Sequence, residues 1–218
     1  MHNIKLKGSD KAYIVGKIVC LGRNYLEHIR ELNNEVPDQP VIFCKPGSSI
    51  LKNHGQVVIP AYSNDCHHEL ELAVLIGKNG KHIPETEAMS YVCGYGVALD
   101  LTLRDVQARQ KEKGLPWEIA KGFDTSCPLS DFVPAAQVGN PDNLEICLKV
   151  NGVIRQQGNS NMMMRSVAQI ISEISTFFTL EEGDIILTGT PSGVGPIQSG
   201  DILDGEIEQV GSLRVSVA

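Results

Sequence analysis

Aromatic residues are scarce in this chain: Phe, Tyr and Trp make up 5% of 218 residues, with a single Trp. A stacking platform for single-stranded nucleic acid needs several exposed rings, so that class is set aside. Positive charge is also short. The formal net charge is -7 and the pI lies near 5.4, which argues against a phosphate-backbone binder. The six cysteines, at 20, 44, 66, 93, 127 and 147, form no C-x-x-C pair, and most lie in apolar runs such as KIVCLG and VIFCKP. Free, buried thiols in a reducing compartment are therefore expected, rather than disulfides or a cysteine-ligated zinc. No apolar run approaches the about 20 residues of a membrane helix. The opening MHNIKLKGSDKAYIVGK lacks the apolar core of a secretory signal. A cytoplasmic protein without a nucleic-acid or membrane partner is the expectation.

What the chain does contain is enough for one sizeable core: 42% apolar and 21% charged residues. β-like runs appear at 17–22, 41–45, 56–60, 70–76 and 91–100. LEICLKV and VIRQQG flank an Asn151-Gly152 pair, a hairpin signal. Helical character appears at 24–34, 101–114 and 166–178, with capping boxes at Asn24/Glu27 and Ser166/Gln169. In the last helix Val167, Ile170, Ile171, Ile174, Phe177 and Phe178 share helical spacing. Many strands with a few scattered helices, and no regular βαβ alternation, predict a β-rich α+β fold. A short N-terminal arm, 1–16, precedes a single main domain, 17–218.

The stretch HHELELAVLIG poses a physical problem. Glu69 and Glu71 stand two apart at the start of an apolar strand, so both carboxylates point to one face. Burying either alone is costly. A hard divalent cation held by oxygen ligands resolves this, with Asp100, at the end of the apolar run GVALD, as third carboxylate. A solvent-facing strand, or pairing with Lys or Arg, accounts for the same pattern. His67 and His68 sit beside the pair, more often structural than ligating.

Other candidates cluster around this one. Asp100, Arg104 and Gln107 are spaced to share a face if the helix begins at 101, and an arginine with an amide suits an anionic, carbonyl-bearing substrate. His28 and Glu31 are spaced i, i+3, as an imidazole oriented by a carboxylate would be. A surface ion pair has the same spacing. Lys121, in a segment of low charge, is placed to stabilise an enolate or oxyanion. The glycine loop LTGTPSGVG lacks the Gly-Lys-Ser/Thr ending of a nucleotide loop, and is read as presenting backbone amides and Thr190 to an anion.

Taken in order, GRNYxxH, the HHExE strand, LDLTLRDVQ, GLPWxxAKxFD and GDIILTGTPSGVG resemble the fumarylacetoacetate hydrolase superfamily, from about residue 17 to 213. The wording is similar to its small single-domain members, of the acylpyruvase and oxaloacetate decarboxylase type. The resemblance implies a mixed β-sandwich or β-roll, a homodimer, and one Mg²⁺ per subunit, with Mn²⁺ as alternative, on Glu69, Glu71 and Asp100. It implies a His28–Glu31 acid–base dyad on a lid segment and Lys121 beside the metal. Arg23, Arg104, Gln107 and Thr190 would contact substrate, with Lys45 behind the ligands. The implied reaction is hydrolysis of an acylpyruvate to pyruvate and a carboxylate. Decarboxylation of oxaloacetate, its keto–enol tautomerisation, or isomerisation of 2-hydroxyhepta-2,4-diene-1,7-dioate uses the same enolate. A non-catalytic oxo-acid binder is the alternative of another class.

Overall fold

Period-2 alternation decides how the central strand is buried. In Leu70–Ile76, Leu70, Leu72, Val74 and Ile76 face one apolar cluster, while Ala73 and Leu75 face another, so every residue of the strand is buried. A strand covered on both faces reads as a continuous apolar run. At about 1.5–3 kcal/mol for each large side chain buried, this strand is a main source of stability.

The computed structural model describes residues 2–218. An eight-stranded mixed sheet runs in the order Val41–Lys45, Ile18–Gly22, Ile185–Leu187, Leu70–Ile76, Val92–Leu99, Cys127–Leu129, Ile50–Lys52, with Val133–Pro134 pairing onto Val92–Leu99. A five-stranded sheet, Val153–Asn159, Glu145–Val150, Ile202–Ile207, Gly211–Val217, Gln56–Val57, lies against one face. Ile146, Leu148, Leu203 and Val215 join Leu70, Leu72 and Val74 there in one core. The sheets approach so closely at Gly205 that a Cβ there would sit 2.5 Å from Leu70 Cδ1. The opposite face is covered by Ile4, Leu6 and Tyr13 of the hairpin Asn3–Lys5/Ala12–Ile14, together with Phe132. This is the expected β-rich α+β fold.

The Asn-Gly hairpin forms as read, with Asn151 and Gly152 at φ 52° and 79°. The helix Val167–Phe177 carries the Ser166/Gln169 capping box. Its apolar face ends early, since Phe177 is 59% exposed. Two expectations are corrected. Asn24 caps nothing: the helix is Leu26–Glu31, and Asn24 is buried and donates to Arg165 O and Thr188 O at 3.1 and 2.9 Å. Nor does a helix begin at 101. Thr102–Leu103 pairs with Cys66–His68 first, and the helix is Arg104–Glu112, followed by Gly114 at φ 63°. Asp100 therefore does not share a helix face with Arg104. The strand at 56–60 shortens to Gln56–Val57. All six cysteines are free.

Gly94 and Gly96 interrupt Val92–Leu99 because neighbours approach too closely for a side chain. A Cβ on Gly96 would lie 2.8–2.9 Å from the Phe132 ring. Gly96→Ala should cost about 1–3 kcal/mol by forcing that buried ring aside. Chemical denaturation measures this, and unchanged stability would show that the ring moves freely.

Candidate active site

Strand register brings the three carboxylates together. Glu71 pairs with Ala98 and Leu70 with Leu99, and the Asp100 N–H donates to Glu69 O at 2.8 Å. Glu69 and Asp100 thus extend the ladder by one step, and all three side chains share the face of Ala73. All are buried, and each offers an oxygen within 4.8 Å of the others.

Three cations oppose them. Arg104 Nη2 contacts Glu69 Oε1. The Lys121 ammonium, at the end of helix Glu118–Lys121, bridges Glu69 Oε2 at 2.9 Å and Asp100 Oδ2 at 2.6 Å. Lys45 Nζ lies 2.8 Å from Asp100 Oδ1, and its three protons are shared with Lys121 O, Ser126 O, Leu101 O and Ser126 Oγ, all within hydrogen-bond range. Pairing with Lys and Arg, one of the alternatives open from sequence, is therefore present. It is incomplete. Asp100 Oδ1 is buried without a hydrogen-bond donor. Glu71 has no side-chain cation within ion-pair distance among the described residues, and accepts the Gly189 N–H at 2.8 Å.

The electrostatics follow from this division. Burial works against ionised Glu69, but the Arg104 and Lys121 charges outweigh it and hold its carboxyl well below the usual range. Burial, then the Asp100 and Glu69 charges, push Glu71 well above that range. Burial alone would lower Lys121, yet Asp100 and Glu69 raise it. The site thus holds one carboxylate, Glu71, short of positive charge, and one oxygen, Asp100 Oδ1, without a hydrogen-bond donor. An oxygen-only donor set with that deficit fits a hard divalent cation.

Above the cluster lies an open pocket whose lining includes His28, Glu69, Glu71, Arg104, Lys121 and Thr190. His28 is buried on Leu26–Glu31, with Nδ1 3.5 Å from Glu31 Oε2. Burial is the main influence on its imidazole and, with the Arg104 charge, lowers its pKa, partly offset by the Glu69 charge and the Glu31 hydrogen bond. Glu31 in turn accepts the Gly193 N–H at 3.0 and 3.2 Å. Only glycine fits at 193: φ is 95° and a Cβ would lie 2.1 Å from Arg155 O.

The LTGTPSGVG loop therefore departs from its reading as an anion cradle. Its Gly189 and Gly193 amides are directed at the protein's own Glu71 and Glu31. Thr190 lines the pocket, but its hydroxyl donates to Leu70 O at 2.8 Å and accepts from Gln156 Nε2 at 2.7 Å. Gln107 Oε1 accepts from Arg104 Nη1 at 3.1 Å, which places both side chains on one wall. Arg23 reaches the pocket from a left-handed backbone, φ 59°. His67 and His68 are engaged elsewhere, with Asp65 and Gln156.

Several pocket residues escaped the sequence reading. Lys111 follows Gln107 by four residues, so extending the helix face would have found it. Asn34, Phe43 and Trp117 also line the pocket, and the Lys121 ammonium sits 4.8 Å from the Phe43 ring centroid. No local pattern marks these three.

A family model described as Fumarylacetoacetate (FAA) hydrolase C-terminal matches residues 17–218. The chain is 50% identical over 200 residues to the mitochondrial oxaloacetate tautomerase FAHD1 of Mus musculus, covering 92% of this chain and 90% of that protein. It is 50% identical over 198 residues to the oxaloacetate tautomerase YcgM of Escherichia coli (strain K12), covering 90% of each. A crystal structure of fumarylpyruvate hydrolase from Pseudomonas aeruginosa, in complex with Mn²⁺ and pyruvate, superposes with a TM-score of 0.96 at 39% identity, covering 100% of this chain and 95% of that one. Sequence, fold and the buried acidic cluster agree, and the chain belongs to the fumarylacetoacetate hydrolase family.

Proposed function

We propose that the protein is a divalent-metal-dependent keto–enol tautomerase acting on oxaloacetate, with Glu69, Glu71 and Asp100 holding Mg²⁺ or Mn²⁺. The observation that carries this is His28, the one imidazole lining the pocket, kept neutral by burial and facing a carboxylate cluster. Tautomerisation needs a single group that removes a proton from carbon and returns it to oxygen. Half-identity to two proteins named oxaloacetate tautomerases supports the substrate.

When bound, the divalent ion supplies Lewis-acid polarisation of the 2-oxo group and acidifies the adjacent C–H bond. The protein's residues do the rest. Glu31 accepts from the Nδ1–H of His28, which leaves Nε2 as the base. Nε2 takes a proton from C3 of the substrate, and negative charge develops on the C2 oxygen. Lys121 donates a hydrogen bond to that oxygen. The His28 imidazolium then returns the proton to it, giving the enol. Arg104 and Gln107 orient the adjacent carboxylate.

The expected hydrolysis of acylpyruvates stands as the second reading, favoured by the likeness to a fumarylpyruvate hydrolase. There the same His28 would take its proton from water. A cytoplasmic homodimer goes with either reaction. Six free cysteines suit a reducing compartment, and Val153, Ile154 and Met162 leave apolar surface exposed. Sedimentation should give the mass of two chains; a single-chain mass would remove the dimer.

His28→Ala should lower tautomerisation roughly 10²–10⁴-fold, the usual worth of a general base. The acid limb of kcat/KM should fall below the unperturbed histidine value of about 6.5. Weakening the Glu31 hydrogen bond, which raises His28, should move that limb lower still in Glu31→Gln. A limb unmoved by Glu31→Gln, or full activity in His28→Ala, would reassign the base. Pyruvate and acetate formed from acetylpyruvate, with the oxaloacetate enol signal unaffected, would select the hydrolase.

Glu71→Gln probes the charge deficit directly. It should weaken Mn²⁺ binding at least tenfold by calorimetry. The metal-free protein should melt no lower than wild type, because burial and the Asp100 and Glu69 charges already disfavour the ionised form of Glu71 there. A lower melting temperature with undiminished Mn²⁺ affinity would remove Glu71 from the metal site.

A further inference from the structure

The cations around the pocket fall into two groups. Arg104, Lys121 and Lys45 are committed to the carboxylates. Arg23 and Lys111 are not. Neither has a carboxylate within 4.0 Å among the described residues, and both donate to one neutral acceptor, Asn34 Oδ1, each at 3.1 Å. Two like charges thus share a single amide oxygen at the rim of the pocket, with Arg104 on the adjoining wall. Burial, then the Arg23 and Arg104 charges, lower the Lys111 pKa, a sign that this corner holds positive charge in excess.

The arrangement has a direction. Glu69 and Glu71, with Asp100 beside them, form the buried floor, and the half-buried Arg23 and Asn34 and the exposed Lys111 line the outer part of the same pocket. A substrate with its 2-oxo acid end on the floor presents its far end to these three residues. Arg23 is held in a left-handed conformation, which costs about 1 kcal/mol or more in a residue with a side chain. Asn24, next in sequence, is pinned to Arg165 and Thr188, so the position of Arg23 is fixed by the body of the protein.

We infer that Arg23 and Lys111, bridged by Asn34, bind the distal carboxylate of a 2-oxo dicarboxylate and set the preference for diacids over monoacids. The inference rests on the proposed oxo-acid function and names its substrate class. An anion here relieves the repulsion of the two cations, and the arginine offers two parallel donors. The clamp also links the base to the substrate. Arg23 precedes Leu26–Glu31, Asn34 follows it, and Lys111 comes from the helix Arg104–Glu112, so an anion at this point ties the His28 segment to the opposite wall.

Lactate and malate share a 2-hydroxy acid end, differ by the distal carboxylate, and neither tautomerises. Calorimetric titration of both into the Mg²⁺-loaded protein isolates the clamp from turnover. Malate should bind wild type at least tenfold more tightly than lactate. Lys111→Met should reduce that ratio at least fivefold, Lys111→Arg should retain most of it, and Lys111→Glu should reverse it. Near-ultraviolet circular dichroism checks that each variant is folded. Wild type that does not distinguish the two acids, or a ratio unmoved in both Lys111→Met and Arg23→Met, overturns the clamp. Wild type that prefers malate through Lys111 but leaves oxaloacetate unchanged keeps the clamp and removes the tautomerase assignment.

Discussion

Three buried carboxylates on one sheet face are the constraint from which the rest of the site follows. Isolated ionised carboxylates do not survive burial, so each must find positive charge or give up its own. Glu69 finds Arg104 and Lys121, and Asp100 finds Lys121 and Lys45. The three cations come from separate segments: Val41–Lys45, Arg104–Glu112 and Glu118–Lys121. Charge pairing therefore fixes the packing of both short helices against the central strands. Glu71 alone is left with backbone N–H only, and its carboxyl is pushed up. A fold that satisfied all three carboxylates internally would leave no charge deficit for a cation to meet.

The glycine loop couples this carboxylate cluster to the His28–Glu31 pair above it. Within five residues, Gly189 donates to Glu71 and Gly193 to Glu31. Thr188 and Thr190 anchor the loop to the backbone of Leu72 and Leu70. The loop is thus stitched to the strand that carries the glutamates. Both glycines have positive φ and no room for a Cβ, so the two amides reach their carboxylates only because side chains are missing. Orientation of His28 is inherited through Glu31 from the same rigid strand.

How much of this is legible in the sequence depends on the range of the interaction. Alternation in Leu70–Ile76, the Asn-Gly turn and the Ser166/Gln169 box are local, and they appear as read. The placement of Glu69, Glu71 and Asp100 together also follows from local rules once two strands pair in register. What misleads is local pattern overridden by tertiary contact. Asn24 has the spacing of a cap, yet a buried amide satisfies three partners around Arg165 and Thr188 and leaves the helix end to Tyr25. The Thr102–Leu103 bridge to Cys66–His68 likewise delays the helix to Arg104. The loop amides look available to a ligand because nothing local reveals that Glu31, far away in sequence, uses one of them. Lys111 lies on a readable helix face, but its meaning depends on Asn34 across the pocket.

The division of labour among cations has a mechanistic consequence. Those that touch the carboxylates hold charge that is present before substrate arrives, so they preorganise the floor and contribute little to discrimination between substrates. Interactions that differ between substrates must come from groups still unsatisfied in the free protein. In this pocket those groups are the Gln107 amide, the outer donors of Arg23 and Lys111, and the free nitrogen of His28. In the proposed reaction the first three would bind substrate and the last would exchange a proton. Separation of the charge-paired carboxylates from the Arg23–Asn34–Lys111 group lets the latter change without disturbing the cluster below. That is a physical reason for one family to include proteins named as tautomerases and as hydrolases at 39–50% identity to this chain.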